Sequence, residues 1–387
     1  MSKYNLVSNF LFDILPFLEY SDEDSENIDS VICKTYSNYL KAMKLQIDDK
    51  QQQWDNYKKY TNPYEFIHTS LSYNTNPVSS KKPLSRSFFK LIEILSDMNY
   101  TKHLPVDKTK RQFLTSFHFA EGPGGFIEAI LYLRRSKFDK YYGMTLIDNK
   151  NYSIPGWNKA KNFISENSNV YIETGITKTG DILNTENLKY CYKKYNSSCD
   201  LVTGDGGFDF TKDFNNQEVA SLKLALAQIV GAISCQKKNG WFILKVFDTL
   251  TQASIDLLYL LSILYNNITI IKPNTSREAN SEKYIVCKNF RLDDSYQYVY
   301  YLSNIIDQFK PDKYPKSFLK LNIPYLFINN IQEINMIIGQ TQLNSLIQTF
   351  NIIKEPDKNK LNKLKQINIT KCIQWCIKYN IPYNNYF

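Results

Sequence analysis

Phe117-His118-Phe119-Ala120-Glu121-Gly122-Pro123-Gly124-Gly125-Phe126 is the stretch that decides how this chain reads. Leu114 to Ala120 is an apolar run with the character of a buried strand. Three glycines in four residues break it, and from Gly125 onward Phe126, Ile127, Ala129, Ile130 and Leu131 recur at helical spacing. Strand, glycine turn and helix open a nucleotide-binding βα unit, in which the backbone turns sharply and approaches a ligand with no side chain between. Pro123 separates the pattern from Gly-x-Gly-x-x-Gly, and no Gly-Lys-Ser/Thr follows, so it matches neither the dinucleotide fingerprint nor the Walker A loop.

On either side of the turn the signals are regular. Ser85 to Met98 reads as an amphipathic helix, Tyr141 to Ile147 and Val170 to Thr174 as strands. Asp200-Leu-Val-Thr-Gly-Asp205-Gly-Gly207 reads as a strand ending in a second glycine turn. A helix from Val219 to Gln236 is stopped by Asn239-Gly240. Trp241 to Phe247 is a strand, Ile255 to Leu264 a helix, and Ile268 to Lys272 and Lys283 to Lys288 are two closely spaced last strands. This alternation predicts an α/β fold with a mostly parallel sheet and helices on both faces. Residues 1–83 read as an accessory segment. It holds an acidic loop at 21–26, one long helix from Ile32 to Tyr60 ended by Asn62-Pro63, and a polar linker at 74–83. Residues 296–387 read as a mostly helical extension.

The formal charge of +9 over 387 residues, with Lys far above Arg, favours a polyanionic partner. Over-use of Asn, Ile, Lys and Tyr also fits AT-rich coding, which inflates Lys by itself. Seven scattered cysteines without Cys-x-x-Cys indicate a reducing compartment, and neither a disulfide framework nor a structural metal site is expected. Cys372 and Cys376, one helical turn apart, read as a buried face. Asp13 and Pro16 interrupt the apolar N-terminus around Phe10 and Leu11, so no signal peptide is expected, and no stretch approaches the length of a membrane span. The expected location is intracellular, in the cytoplasm (a viral replication site included) or the nucleus.

Ligands of open α/β sheets lie at the carboxyl ends of the strands. The polar residues expected there are Glu121 to Gly125, Asp148, Asp181 in Gly180-Asp181-Ile182, and Asp205. Lys245 lies inside the apolar strand Phe242-Ile-Leu-Lys245-Val-Phe247. A charged lysine is costly to bury there, and Asp205 on the adjacent strand is its expected partner. Asp200, at the opposite edge of the sheet, reads as structural.

With these residues assembled, the chain resembles the FtsJ-like ribose 2′-O-methyltransferases, and among them the mRNA cap-specific (nucleoside-2′-O-)-methyltransferases. The pieces stand in family order: Asn62-Pro63-Tyr64-Glu65; Arg86 with Lys90; Gly122-Pro123-Gly124-Gly125-Phe126; Gly143-Met144-Thr145-Leu146; Gly180-Asp181-Ile182; Asp205-Gly-Gly-Phe208; Lys245-Val-Phe247-Asp248; and Lys272-Pro273 through Thr275-Ser276-Arg277 to Asn280-Ser281-Glu282-Lys-Tyr284. The resemblance implies a Rossmann-like S-adenosylmethionine-dependent methyltransferase sheet over 84–295, its last strand antiparallel, with helical N- and C-terminal additions. It implies a tetrad of Lys90, Asp205, Lys245 and Glu282, with Glu278 as rival for the last place. Cofactor contacts would come from Glu121, Gly122, Pro123, Gly124, Gly125, Phe126, Asp181 (to the adenine amino group) and Asp205. Glu121 stands where the family carries a small residue, and a carboxylate there is expected near the amino end of the methionine moiety. Lys58, Lys59, Arg86, Asn216 and Asn280 would touch RNA, with Lys81 and Lys82 as further candidates.

The implied activity is methylation of the ribose 2′-OH of the first transcribed nucleotide of capped mRNA, cap 0 to cap 1. The partners are the capped 5′ end and other capping or transcription proteins. The chemistry agrees: a ribose hydroxyl becomes a nucleophile as its proton is removed, and a lysine serves as base when burial or a second cation lowers its pKa. Two other activities remain open on this fold, 2′-O-methylation of ribosomal or transfer RNA and a non-catalytic RNA-binding subunit.

Overall fold

The apolar runs between the glycine turns assemble into one twisted sheet. The computed structural model describes residues 1–7, 12–24, 28–70, 76–100, 113–148, 154, 156–207 and 215–384. Phe10, Leu11, Ser25, Glu26 and Phe208 therefore lie outside the described residues. In chain order the elements are β1 (Ser2–Asn5), β2 (Leu18–Glu23), α1 (Lys34–Asp48), α2 (Gln51–Thr61), α3 (Ser87–Asp97), β3 (Thr115–Phe119), α4 (Gly125–Arg134), β4 (Lys140–Met144), α5 (Lys161–Glu166) and β5 (Val170–Ile172). They continue with α6 (Thr185–Tyr195), β6 (Cys199–Gly204), α7 (Gln217–Cys235), β7 (Gln236–Val246), α8 (Gln252–Leu264), β8 (Tyr265–Lys272), β9 (Lys283–Phe290), α9 (Tyr296–Gln308), β10 (Tyr314–Leu319), α10 (Tyr325–Lys354) and α11 (Lys358–Lys378).

The sheet runs β1-β8-β9-β7-β6-β3-β4-β5. β5, β4, β3, β6 and β7 are mutually parallel, while β9 is antiparallel to both β7 and β8. All six residues of β6 are buried, as expected of a parallel strand covered on both faces. From β3 the chain proceeds one way to β4 and β5, then returns to add β6 and β7 on the other side. The switch point thus lies between β3 and β6, where an open α/β sheet leaves its ligand crevice. Phe119 stands opposite Gly204 there, so the two glycine turns emerge side by side.

Several sequence expectations are corrected. Ile32 to Tyr60 is not one helix but two, α1 and α2, broken at Asp49-Lys50; the bend sets Trp54 on Phe350 of α10, with ring centroids 5.4 Å apart. The helix before Asn239-Gly240 ends earlier, at Cys235, and Asn239 occupies a left-handed conformation (φ 64°) within β7. α7 does reach the length and apolarity of a membrane span, but 78% of that stretch is buried inside the fold, where it serves as the core helix behind β6 and β7. The supposed linker is pinned: Val78 is fully buried, its N–H donates to the Phe66 carbonyl, and Ser79 pairs with Tyr383. Three strands outside the periodic region carry no clear sequence signal. β1 covers the β8 edge, and β2 pairs with β10, which joins the two terminal segments.

Candidate active site

The glycine turn is shaped by its protein neighbours. Gly124 precedes α4 at φ 111°, a conformation that strains any side chain. A Cβ on Gly125 would overlap the Ser85 and Ser87 hydroxyls, and one on Gly122 would sit 2.7 Å from the Gly156 carbonyl. The missing side chains thus let the turn seat against the start of α3 and the Gly156 loop. Glu121 has a role the sequence did not expose: its Oε1 accepts hydrogen bonds from the Phe126 and Ile127 amides at 2.7 and 3.1 Å. It caps the otherwise unpaired first turn of α4 and faces the positive end of that helix. Burial pushes its carboxyl well above the usual range against those two amides, and neighbouring Asp205 adds to the rise. Asp181, half-buried, turns its Oδ1 to the Leu183 amide at 2.9 Å, and Asp148 is exposed.

The strand register brings the reactive groups together. Gly204 pairs with Leu244 and Lys245 with Tyr284, which sets Asp205, Lys245 and Tyr284 in a row across β6, β7 and β9. Lys245 Nζ donates to the Asp205 carbonyl at 2.7 Å and lies 3.4 Å from its carboxylate Oδ1; the Tyr284 hydroxyl donates to the same Oδ1 at 2.9 Å. Behind them, Lys90 of α3 pairs with both oxygens of Glu282, at 2.7 and 2.8 Å, and the Ser276 hydroxyl donates to Glu282 Oε1 at 2.7 Å. Burial alone would raise the Glu282 carboxyl, but Lys90, Lys245 and Arg86 overcome it and hold it well below the usual carboxylate range. Burial pushes Lys90 down, with Glu282 opposing. Glu282, not Glu278, is therefore the carboxylate on Lys90. Glu278 instead donates its backbone N–H to Asn62 Oδ1 at 3.0 Å.

Two motifs that are 212 residues apart in sequence prove to be one structure. Glu65 of Asn62-Pro63-Tyr64-Glu65 forms a two-pronged ion pair with Arg277, at 2.9 Å from Nε and 2.6 Å from the terminal nitrogen. Burial opposes ionisation of Glu65, but Arg277 holds its carboxyl down at about 2, against an ordinary 4.5. A depressed acid stabilises the fold above its unfolded pKa and loses that contribution as pH falls through its folded one. Glu65→Gln is therefore expected to cost about 3 kcal/mol at neutral pH. It should also remove part of the stability loss that the unmodified protein shows between pH 4.5 and 2. Urea titrations of both proteins across that window check this; parallel curves would contradict it.

The same loop is held from below. Lys272 Nζ donates to the Asn280 side-chain oxygen and to the Glu282 carbonyl, both at 2.7 Å, and burial lowers its pKa to about 7. Glu93, one turn after Lys90 on α3, accepts from the Asn274 and Thr275 amides at 2.9 and 3.1 Å. Sequence reasoning does not reach Tyr284, Ser276, Lys272 or Glu93 as site residues. Lys272, Ser276 and Tyr284 do stand in the motif pieces that carry the family resemblance, which gave them no role of their own.

The expected RNA-contacting residues are spread around this cluster rather than gathered in it. Arg86 immediately precedes α3, and its charge reaches Lys90 and Glu282. Lys58 pairs with Asp55, Lys59 lies over the Tyr60 ring, and Lys81 pairs with Glu128 at 2.8 Å. Asn216 immediately precedes α7 as its N-cap residue. Asn280 is partly committed: its Oδ1 also accepts from Ser276 at 3.3 Å.

A paired lysine and carboxylate at the carboxyl ends of adjacent parallel strands, backed by a second such pair, can take a proton from a hydroxyl and hold the resulting charge distribution. Comparison with known proteins gives this chemistry a setting. The profile of the family described as FtsJ-like methyltransferase matches residues 83–290. A mouse protein described as cap-specific mRNA (nucleoside-2′-O-)-methyltransferase 1 is 30% identical over 291 residues, covering 71% of this chain and 32% of its own length. Its Dictyostelium discoideum counterpart is 30% identical over 275 residues, 65% of this chain and 34% of that protein. A Caenorhabditis briggsae protein described as inactive cap-specific mRNA (nucleoside-2′-O-)-methyltransferase 1B is 32% identical over 187 residues, 46% of this chain and 21% of its own. The chain thus spans about a third or less of the length of these relatives.

Proposed function

This chain belongs to the FtsJ-like methyltransferase family, and from that membership we propose that it methylates the ribose 2′-OH of the first transcribed nucleotide of capped mRNA, with S-adenosylmethionine as donor. The observation that carries the proposal is the meeting of Lys90, Asp205, Lys245 and Glu282 at the carboxyl ends of β6 and β7, beside the switch point of the sheet. The names of the mouse and Dictyostelium relatives support the cap as the feature recognised.

S-adenosylmethionine supplies an electrophilic sulfonium methyl. The residues proposed to hold it are the turn from Glu121 to Phe126, Asp181 and Asp205. Their fit has one independent sign beside the turn: the buried indole N–H of Trp157, whose ring packs near Gly124 and Gly143, has no hydrogen-bond partner among the described residues. Lys245 is proposed to take the proton of the 2′-OH. Asp205 holds the Lys245 amine by its carbonyl and faces with its carboxylate the ammonium that forms on proton transfer, while Lys90, paired with Glu282, stands behind it as the second cation. Alignment of hydroxyl and methyl within this rigid frame supplies much of the rate. Lys58, Lys59, Arg86, Asn216 and Asn280 are proposed to guide the RNA, chiefly through its phosphates. The same reading puts catalysis in residues 84–295, with 1–83 and 296–387 as additions. It makes capping or transcription proteins natural partners and puts the enzyme where transcripts are capped, in the cytoplasm or nucleus.

The inactive worm relative supports a second reading, an RNA-binding subunit without activity. The complete set of four polar side chains favours the enzyme. Short RNAs of one sequence, ending in a 7-methylguanosine cap or in a triphosphate, distinguish the readings when incubated with labelled S-adenosylmethionine. Strong labelling of the capped RNA alone is expected. Equal labelling of both would sink the cap assignment in favour of ribosomal or transfer RNA, and labelling of neither would favour the inactive subunit.

A further inference from the structure

The long helix α10 lies outside the matched family segment, yet its side chains enter the frame of the candidate site. Asn335 and Gln342 are seven residues apart, two helical turns, and so share a face. Both are buried, at 3% and 2% exposure. Asn335 Oδ1 accepts from the Thr249 hydroxyl at 3.0 Å and from Lys283 Nζ at 3.1 Å, and its Nδ2 donates to the Thr249 carbonyl at 2.9 Å. Gln342 Nε2 donates to the Ala279 carbonyl at 3.2 Å, and its Oε1 accepts from the Tyr36 hydroxyl of α1 at 3.1 Å. Thr249 follows Lys245 by four residues. Ala279 and Lys283 bracket Glu282. One helix face therefore grips both segments that leave the strand ends with a proposed catalytic residue.

The grip is well founded. α10 is anchored by the Trp54–Phe350 contact, by a 2.6 Å hydrogen bond between the Thr61 and Thr349 hydroxyls, and by Gly339, where any Cβ would lie 2.5 Å from the Tyr36 ring. Lys283 is a buried cation faced by Asp248, Glu218, Lys44 and Cys33. Asn335 gives it a neutral acceptor and at the same time ties it to the Thr249 backbone. An apolar side chain in that place would leave Lys283 short of an acceptor and the Thr249 carbonyl and hydroxyl unpaired in the interior.

We propose that Asn335, seconded by Gln342, is a positioning residue for the transfer: it sets the spacing between the Lys245 and Glu282 segments, so that the C-terminal extension completes the active-site frame. This inference rests on the methyltransferase reading above. In the full chain, Asn335→Leu is expected to lower kcat on capped RNA roughly 10- to 100-fold, with the Kd for S-adenosylmethionine and the KM for RNA within about twofold of the unmodified protein. The pH dependence of kcat should move, and amide exchange over 245–252 and 276–284 should accelerate. Asn335→Asp, which keeps both acceptor contacts, should recover part of kcat. Leu346→Ala, a cavity in the core of the same helix, controls for stability alone. It should lower Tm yet leave the pH profile and the exchange of those two segments unchanged. Unmodified kcat in Asn335→Leu, or the same shifts in Leu346→Ala, would overturn the inference. Absence of transfer by the unmodified protein would instead overturn the proposed function, and the exchange comparison would still decide whether Asn335 holds the two segments.

Discussion

Lys245→Met is expected to lower methyl transfer by about a thousandfold or more while the Kd for S-adenosylmethionine changes by less than about twofold. The side chain is 12% exposed, and Nζ is directed by the Asp205 carbonyl at 2.7 Å. Methionine keeps the length and much of the packing of the lysine stem but cannot accept a proton or carry charge. Of the residues proposed to hold the cofactor, the glycine turn and Asp181 take no hydrogen bond from Lys245, and Asp205 keeps the one from the Tyr284 hydroxyl. Lys245→Arg should fail as well, since a guanidinium stays protonated at any pH the fold survives. Single-turnover transfer and calorimetric titration of the cofactor separate the two effects. Retention of a tenth of the activity in Lys245→Met would remove the lysine from its assigned role, and loss of cofactor binding would make it a binding residue instead.

The second large effect is expected at Glu282. Glu282→Gln leaves Lys90 a buried cation without its carboxylate, on a helix whose residues 88–95 are all buried. Breaking such a pair from one side costs about 3 kcal/mol, and transfer should fall about 100-fold as Lys90 and Ser276 lose their common anchor. The pH dependence follows from the same pair. Glu282 is held below its ordinary 4.5, so its contribution is present above that value and is lost only as pH falls through the much lower folded one. Replacing both partners, Lys90→Met with Glu282→Leu, removes two buried charges together and should restore most of the stability without restoring transfer. Denaturation midpoints and initial rates on the four proteins of this cycle check both halves. A double variant that regains activity would show the pair to be scaffolding only.

How much of this is legible in the sequence depends on how local each signal is. The β3, turn and α4 unit is fully legible, because an apolar run, three glycines and a helical period lie within one short stretch. Asp205 and Lys245 can be paired from the sequence by itself, because adjacent parallel strands end at the same edge. Lys90 cannot be recognised on physical grounds. Its significance comes from Glu282, 192 residues away, and only the family resemblance supplies the link. Glu121 is recognisable as unusual but its contacts are not, since a helix cap inside a glycine turn looks the same in sequence as a ligand contact. β1, β2 and β10 are short and half-exposed, and pair because of what already stands at the sheet edge and between the terminal segments. The break between α1 and α2 carries no glycine or proline; it is imposed by packing against α10. Asn335 is silent for a similar reason, as a single amide in a long helix acquires meaning only from the loops it meets.

The most direct measurement uses capped RNAs that differ only at the first transcribed nucleotide: ribose, 2′-O-methylribose or 2′-deoxyribose. With labelled S-adenosylmethionine, the ribose RNA should accept one methyl group and the other two none. Equal labelling of all three would place the methyl elsewhere on the RNA and contradict the assignment of the first 2′-OH as the acceptor.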